Sequence, residues 1–225
     1  MKIATVSCIH GDIENMMKFM DKISLLNIDI IVCNGDFTDY AIPRGFNRID
    51  IGRIILEELK SLDKPLVTVP GSWDKELITL LKKETISCHG EGKIIDGVGF
   101  YGYGGAKTPF NTPFEPSESE MASGLEKAYR DVRKADVKIQ VTHAPPFNTK
   151  ADVIASGAHV GSDSVRKFIE KEQPESAVCA HIHESRCVDE LGNTKIVNSG
   201  RFPEGHLGII SIDDSEVTAK LTSLI

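Results

Sequence analysis

Apolar residues in the first half of the chain follow two alternating patterns. Short runs rich in β-branched residues, typical of strands buried on both faces, occur at Ile3–Ser7, Ile28–Cys33 and Leu66–Val69. The apolar positions that recur at helical spacing are Ile13, Met16, Met17, Met20 and Ile23, then Ile51, Ile54, Ile55, Leu59 and Leu62, then Leu77, Leu80 and Leu81. This alternation predicts βαβ units and therefore an α/β fold.

The second half of the chain has shorter apolar runs separated by glycines. The runs Ile86–His89, Lys93–Asp96 and Val98–Tyr103 predict antiparallel hairpins, and a long helix is expected over Glu118–Lys134. The remaining predicted elements are the strand Val137–Thr142, a helix capped by Ser162 or Ser164 that runs to Glu170, the strands Ala177–Ala180, Arg186–Asp189, Lys195–Asn198, Leu207–Ile212 and Val217–Leu221, and a tight turn at Asp213–Ser215.

Three segments have neither pattern: Tyr40–Asn47, Lys107–Ser117 and Ala144–Gly161. Each comes after a polar cluster at the end of a predicted strand. Because structureless loops of this length in a compact domain usually have a function, we expect these segments to border a binding site.

Polar residues that can bind metals gather where five predicted strands end. The five segments are Ser7–Asp12, Asn34–Asp39, Pro70–Asp74, Val141–Pro146 and Ala180–Glu184. In open α/β sheets, ligands bind outside the carboxyl ends of the strands. Segments that are distant in sequence are therefore predicted to converge on one site.

The residue types in these segments point to divalent-metal chemistry. Imidazole and carboxylate groups suit Zn, Mn and Fe, and a carboxylate on a tight turn after a glycine can bridge two ions. Two ions about 3.5–4 Å apart activate a shared water and stabilise an in-line displacement at phosphorus. We therefore expect hydrolysis of a phosphate ester with two divalent ions as cofactors, and no catalytic group is assigned beyond the metal-bound water.

Composition narrows the class of protein. The 225 residues carry 26 Lys and Arg against 33 Asp and Glu, a net charge of −7, which argues against a duplex nucleic acid partner. The hydrophobic content of 40% is that of an ordinary globular protein, and no apolar stretch is long enough to span a membrane. We expect one domain over residues 1–225, and the sequence leaves a homo-oligomer open.

The cysteines and the start of the chain suggest a location. Five cysteines without a framework spacing indicate free thiols in a reducing compartment. The chain enters its first predicted strand without a signal-peptide pattern, so a cytoplasmic location is expected.

The order and spacing of these motifs resemble those of the calcineurin-like metallophosphoesterase superfamily. The family pattern is Asp-x-His, Gly-Asp-x-x-Asp, Gly-Asn-His/Cys-Asp/Glu, a lone His before small or Pro residues, and Gly-His-x-His. The resemblance extends from Lys2 to about Ile212 and includes the stretches His159–Ser162 and Val197–Gly200. It implies a four-layer α/β/β/α sandwich with two facing mixed sheets.

The resemblance also implies a set of metal ligands. His10 and His183 would bind one metal, His143 and His181 would bind the other, and Asp36 would bridge both. These five positions match the family pattern.

Three positions depart from that pattern. Cys8 replaces the first Asp, and it would either be a soft thiolate ligand for Zn or Fe or fill the strand end as a buried thiol. Ser72 replaces the Asn, and its short side chain favours binding through water or capping of the next helix over direct coordination. Trp73 replaces a His that often follows and cannot donate a proton to a leaving group, but it could stack on an aromatic group or pack its loop. The second metal site is therefore expected to be the weaker one.

Other polar residues are assigned supporting roles. Asp39 and Asp74 are expected to accept hydrogen bonds that orient His or backbone groups. Arg44, Lys107 and Trp73 are candidates to face the substrate, although loop cations are often simply solvated. The other cations in or beside these loops are Arg48, Lys150 and Arg201, and the remaining histidines are His159, in a loop, and His89 and His206, which resemble ordinary strand residues.

Two functions remain open from the sequence. The first is a metal-dependent phosphoesterase that acts on a small phosphate ester, and a diester is favoured over a monoester. The negative net charge does not oppose this function, because two divalent cations would invert the local field. The alternative is a catalytically weakened module on the same fold that binds metal or nucleotide, and Cys8, Ser72 and Trp73 motivate it.

Overall fold

A computed structural model describes residues 1–214 and 216–225. The predicted turn at Asp213–Ser215 includes Ser215, which lies outside the described residues. In chain order the elements are β1 (Lys2–Val6), α1 (Ile13–Ser24), β2 (Ile30–Cys33), α2 (Arg48–Lys60), β3 (Leu66–Thr68), α3 (Ile78–Lys83), β4 (Gly92–Ile95), β5 (Val98–Tyr103), α4 (Glu118–Val132), β6 (Val137–Thr142), α5 (Asp163–Glu172), β7 (Ser176–Cys179), β8 (Cys187–Leu191), β9 (Thr194–Asn198), β10 (His206–Asp213) and β11 (Glu216–Ser223).

These strands form two mixed sheets. The first sheet has the order β11-β10-β1-β2-β3, in which β1, β2 and β3 are parallel and β10 and β11 are antiparallel. The second sheet has the order β4-β5-β6-β7-β9-β8, with a parallel centre and an antiparallel strand at each edge. The predicted α/β fold with two mixed sheets is confirmed.

Three clusters of buried apolar residues define the layers. One cluster packs α1 and α2 on the first sheet and includes Met16 and Ile55. A second fills the space between the two sheets and includes Phe100 and Ile139. The third packs α4 and α5 on the second sheet and includes Leu125. This arrangement gives the four layers α/β/β/α.

Side-chain caps begin the four longer helices at positions set by the sequence. Asp12 caps α1 and Ser162 caps α5, each by accepting a hydrogen bond from a backbone N–H of the first turn. Asn47 and Ser117 begin α2 and α4 with reciprocal capping boxes. Because Asp12 follows the segment that ends β1, its cap also fixes where that loop turns into the helix.

The prediction of antiparallel hairpins after residue 86 is partly wrong. Lys93–Asp96 and Val98–Tyr103 do form a hairpin, β4 and β5, which turns at Asp96 and Gly97 with positive φ at both. The segment Ile86–His89 forms only isolated parallel bridges, from Ser87 to β3 and from His89 to β5. Those two partners belong to different sheets, so this segment connects the sheets and cannot form a regular ladder with either.

Candidate metal centre

The five polar segments meet where β1, β2, β3, β6 and β7 end, and several of their residues have left-handed backbone. Cys8 has φ 53°, His10 53°, Asp36 52° and His181 71°. A non-glycine residue in this region costs about 1 kcal/mol, and such strain is concentrated at functional sites. Hydrogen bonds between the two loops hold the conformation, from Cys8 N to the Gly35 carbonyl at 3.0 Å and from His10 N to the Asp36 carbonyl at 2.9 Å.

Two groups of potential ligand atoms share one residue. Cys8, His10 and His183 place one ligand atom each within 4.8 Å of one another, and so do Cys8, Asp36 and His143. Cys8 is fully buried and belongs to both groups. The structure therefore brings five of the seven residues predicted as ligands into one centre.

The first group pairs two imidazoles. Nε2 of His10 lies 3.2 Å from Nε2 of His183, and the rings are T-shaped with centroids 5.1 Å apart. Burial, followed by the charge of His10, lowers the pKa of His183 to about 4, so His183 is a neutral imidazole near neutral pH. Nε2 of His10 also lies 3.7 Å from Oδ2 of Asp36, which places the carboxylate beside both groups.

The second group contains a close contact between Asp36 and His143. Burial opposes the ionised form of Asp36, but the positive charge of His143 outweighs it and lowers the pKa of the carboxyl well below its usual range. Burial likewise opposes the charged form of His143, and Asp36 reverses this and raises the pKa of His143. This buried pair therefore favours a positive charge next to the carboxylate.

The geometry of His143 fits a metal ion. Nδ1 lies 2.8 Å from the carbonyl oxygen of Asn34, which can only accept, so Nδ1 carries a proton. Nε2 is buried and lies 3.1 Å from Oδ2 of Asp36, but it makes no hydrogen bond. A divalent ion bound by both atoms would satisfy this contact, and Nδ1 would orient the ring as second partners of metal-bound histidines usually do.

Two glycines allow the loops to come this close. A Cβ on Gly71 would lie 2.1 Å from the Asp36 nitrogen and 2.2 Å from Oδ1 of Asp36. A Cβ on Gly35 would lie 2.5 Å from the Gly71 nitrogen and 2.9 Å from Nδ1 of His143. Since atoms cannot approach so closely, the position of the Asp36 carboxylate depends on glycine at both positions.

The carboxylate of Asp74 fixes the loops after β2 and β3. It is fully buried and accepts hydrogen bonds from the backbone N–H groups of Phe37, Thr38 and Gly71 and from the Thr38 hydroxyl, at 2.8–3.1 Å. Burial, followed by the charge of Asp36, raises the pKa of Asp74. Asp74 therefore orients backbone groups. Asp39 lies beside a histidine instead, with one oxygen 3.7 Å from Nδ1 of His10.

His181 and Ser72 lie beside the two groups and belong to neither. Nδ1 of His181 is 3.5 Å from the Ser72 hydroxyl, and Nε2 is 3.2 Å from the Lys107 carbonyl. Burial and the charge of His143 lower the pKa of His181 to about 4, and its ring packs against His143. The Ser72 hydroxyl points towards the Ala106 carbonyl and does not cap the following helix. The prediction that Ser72 caps this helix is therefore wrong.

The three residues predicted to face the substrate differ in their contacts with the centre. The backbone N–H of Trp73 donates to Oδ1 of Asp36 at 3.1 Å, which puts Trp73 next to the centre. The Lys107 carbonyl contacts His181, and Lys107 and His181 line a cavity of about 50 Å³. Arg44 is exposed in the loop after β2, and among the described residues no contact connects it to the centre.

An aromatic group beside Trp73 was missed from the sequence. The ring of Tyr40, which is 78% exposed, makes a T-shaped contact with Trp73 at 6.0 Å. The guanidinium of Arg48 lies 6.0 Å from the centroid of the Trp73 ring. The available signal was that Tyr40 directly follows the metal-site motif and begins an aperiodic loop. Tyr40, Trp73 and Arg48 are called the aromatic rim below.

Two facing sheets with histidines and an aspartate at their strand ends suit a metal-dependent phosphoesterase, and the family of the chain identifies this class. The chain matches the model of the calcineurin-like phosphoesterase family over residues 1–185, and it belongs to this family. It is 35% identical over 206 residues to an uncharacterized protein of Methanocaldococcus jannaschii, and the match covers 88% of this chain and 87% of that protein.

Solved structures share the fold. The protein TT1561 of Thermus thermophilus is similar at 17% identity with a TM-score of 0.74, covering 100% of this chain and 99% of that one. A dimetal phosphatase from Danio rerio is similar at 9% identity with a TM-score of 0.63, covering 100% of this chain and 96% of that one. In the described part of the chain, no helix has the length and apolar character needed to cross a membrane.

We expect Gly71→Ala to weaken Mn²⁺ binding about tenfold or more, because the added Cβ would displace the Asp36 carboxylate. Mn²⁺ titration with elemental analysis of the dialysed protein measures this. The control is Ser156→Ala, which changes an exposed loop side chain that belongs to neither ligand group. Equal Mn²⁺ affinity in the two variants would show that the Asp36 position does not control metal binding.

Proposed function

We propose that this chain is a single-domain, cytoplasmic phosphodiesterase that uses two divalent ions to hydrolyse a small phosphate diester. One observation carries the proposal: two groups of ligand atoms meet at Cys8, and Asp36 of the second group also lies 3.7 Å from His10 of the first. Such an arrangement suits two neighbouring metal ions with shared ligands. The cytoplasmic location is supported by five free cysteines, all of which lie in the described residues.

The ligands are proposed as follows. Cys8, His10 and His183 would hold the first ion, and Asp36 would share a second ion with His143 and bridge the two. His181 and Ser72 complete the second site from its edge, which makes it the weaker of the two, because their polar atoms also contact loop carbonyls. The chemistry that two bound divalent ions such as Mn, Fe or Zn supply is activation of a water molecule and neutralisation of phosphate charge.

The chain's own groups prepare this centre. His181 and His183 are neutral because burial lowers the pKa of each to about 4, so their lone pairs are available as ligands. The Asn34 carbonyl holds the proton of His143 on Nδ1, which directs Nε2 towards the carboxylate. Asp74 fixes the backbone that carries Asp36, so the ligands need little reorganisation.

The surroundings favour a diester over a monoester. The position next to the centre where a His could protonate a leaving group is Trp73, an indole that cannot exchange a proton near neutral pH. The aromatic rim offers stacking to an aromatic or nucleobase substituent of the substrate, and its Arg48 guanidinium is held beside the Trp73 ring while paired with Glu76 at 3.3 Å. Lys107 and Arg44 are proposed to supply positive charge to the phosphate from the surrounding loops.

Replacement of Asp36 or His143 tests the proposed activity. We expect Asp36→Asn and His143→Ala each to lower hydrolysis of bis(p-nitrophenyl) phosphate in Mn²⁺ by at least about a hundredfold, because each removes a ligand of the second ion. The control is Asp21→Asn, which changes an exposed carboxylate on α1. Unchanged rates in both site variants would place the activity elsewhere.

Variants of Cys8 test whether its thiol coordinates metal or only packs against its neighbours. If the thiolate binds metal, Cys8→Asp should shift the preference for activity from Zn²⁺ towards Mn²⁺ and increase resistance to peroxide, because a hard carboxylate replaces an oxidisable soft ligand. Cys8→Ala should lower the metal content of the purified protein. Cys8 would be a packing residue if the metal content and metal preference of both variants matched those of the original protein.

The same measurements decide between enzyme and binding module. The alternative function, a weakened metal- or nucleotide-binding module, predicts bound metal without turnover. Elemental analysis combined with a screen of phosphate monoesters and diesters distinguishes the two functions, since clear turnover of any ester that depends on Asp36 eliminates the module.

The effects of Trp73 variants on KM and kcat test whether the aromatic rim binds the substrate. We expect Trp73→Ala to raise KM for bis(p-nitrophenyl) phosphate about tenfold with little change in kcat, because base-type stacking contributes about 1–3 kcal/mol. Trp73→Phe should restore most of the affinity. Phe110→Ala is the control, since Phe110 is an exposed aromatic side chain of another loop, 77% accessible. An unchanged KM in Trp73→Ala would leave Trp73 with a role in loop packing only.

A further inference from the structure

A second cavity lies on the far side of the loop that follows β5. It has a volume of about 460 Å³ and opens between α3, the segment after residue 88 and α4. Cavities that bind small molecules usually have about 300–1,000 Å³. The polar side chains of its wall that matter here are Lys82, His89, Tyr103, Ser119, Ser123 and Lys127.

The charge of this wall is positive. Lys82 and Lys127 are both exposed, and within the described chain neither has an ion-pair partner, whereas Lys171 of α5 is paired with Glu126. The acidic residue of the wall is Glu120, whose carboxylate is engaged by the backbone N–H and the hydroxyl of Ser117. The hydrogen bonds from Ser117 favour the ionised form of Glu120, so the wall has two ammonium groups without ion-pair partners against one carboxylate, and a net positive charge remains.

His89 adds an oriented ring to the same cavity wall as the two lysines. Its Nδ1 accepts a hydrogen bond from the Gly104 N–H at 3.0 Å, so the proton of the neutral ring is on Nε2. Burial, and then the charges of Lys82 and Lys127, lower the pKa of His89 to about 4, so the ring is neutral near neutral pH. The ring that resembled an ordinary strand residue in the sequence is thus a fixed donor in a basic cavity.

The cavity also has an aromatic wall, in which the His89 and Tyr103 rings are tilted by 46°. The rings of His89 and Tyr103 pack with centroids 4.1 Å apart, and Phe114 packs behind His89 at 5.5 Å. A Cβ on Gly124 of α4 would lie 1.9 Å from the Tyr103 ring, so the ring takes this position only because the helix has glycine there. Glycine within a helix lowers helix stability by about 1 kcal/mol relative to alanine. Helix α4 nevertheless has glycine at position 124, at the floor of this cavity.

We propose that this cavity binds a small phosphomonoester, with its dianion between Lys82, Lys127 and His89 and a flat substituent against the Tyr103 ring. Ammonium groups and neutral N–H and O–H donors are the groups that bind phosphate in proteins. The serine hydroxyls of the first turns of α4 supply further donors at the same wall.

This site is separate from the metal centre, although a short strap connects them. Residues 104–107 begin at the Gly104 N–H bound to His89 and end at the Lys107 carbonyl beside His181. Between these points Gly105 N donates to the Pro70 carbonyl, which fixes the strap on the loop that carries Gly71. None of the described residues that form the two ligand groups lines the cavity.

Phenylphosphonate is a suitable probe. It is a dianion at mildly alkaline pH, it carries a flat ring, and its carbon–phosphorus bond is not hydrolysed by an esterase. Calorimetric titration of the Mn²⁺-loaded protein should show a binding event that Lys82→Gln combined with Lys127→Gln weakens about tenfold or more, because two charge-assisted contacts are lost. The control is Lys134→Gln combined with Lys167→Gln, two exposed lysines outside the cavity wall.

Asp36→Asn separates the cavity from the metal centre. In that variant, binding of phenylphosphonate should persist and should shift the NMR resonance of the Gly104 amide, which is bonded to His89. The proposal is overturned if Asp36→Asn abolishes all binding, if the two lysine pairs have equal effects, or if the Gly104 resonance does not move. These results do not depend on turnover, so they can fail while the proposed hydrolysis holds, and the reverse is also true.

Discussion

The buried carboxylate of Asp74 is the interaction on which the centre depends. It collects three backbone N–H groups and one hydroxyl from the loops after β2 and β3, and these loops would otherwise have unpaired donors in the interior. An unpaired buried donor costs about 1–3 kcal/mol, so one carboxylate stabilises the whole junction. The junction in turn brings Gly71 against Asp36, where no side chain fits. The position of the candidate bridging carboxylate therefore follows from a residue that has no place in the ligand set.

The strained backbone at the strand ends is also held by hydrogen bonds between neighbouring loops. Cys8, His10 and Asp36 all have positive φ, and hydrogen bonds between the loop after β1 and the loop after β2 hold them there. The left-handed conformation turns the chain sharply at the edge of the sheet, whereas an extended strand would point successive side chains to opposite faces. The strain is thus connected with bringing together three types of potential ligand, a thiol, an imidazole and a carboxylate, from two short loops.

Much of this fold could be predicted because its signals are local: β1, β2, β6, α1 and α4 were found near their observed bounds, and the metal-site residues follow such strands in a recognisable order. The segment Ile86–His89 was misread because its partners belong to different sheets and leave no local signal. The contact between Tyr40 and Trp73 joins different loops, and the Gly104 N–H that orients His89 comes from the other side of a hairpin. Long-range contacts of this kind are decided by packing, and loops vary without changing the pattern from which strands are recognised.

Cys8 shows how far the surroundings of a residue decide its chemistry. Burial, and then the nearby Asp36 carboxylate, raise the pKa of this thiol well above its usual value, so without a neighbouring cation it is neutral and packs like a small apolar side chain. A divalent ion reverses both effects, because it supplies positive charge beside the sulfur and coordination deprotonates a thiol outright. The thiol would therefore pack as a neutral group without a cation and would coordinate as a thiolate with one, and the potential ligand atoms of Asp36, His10 and His143 lie close enough to share such a cation with it.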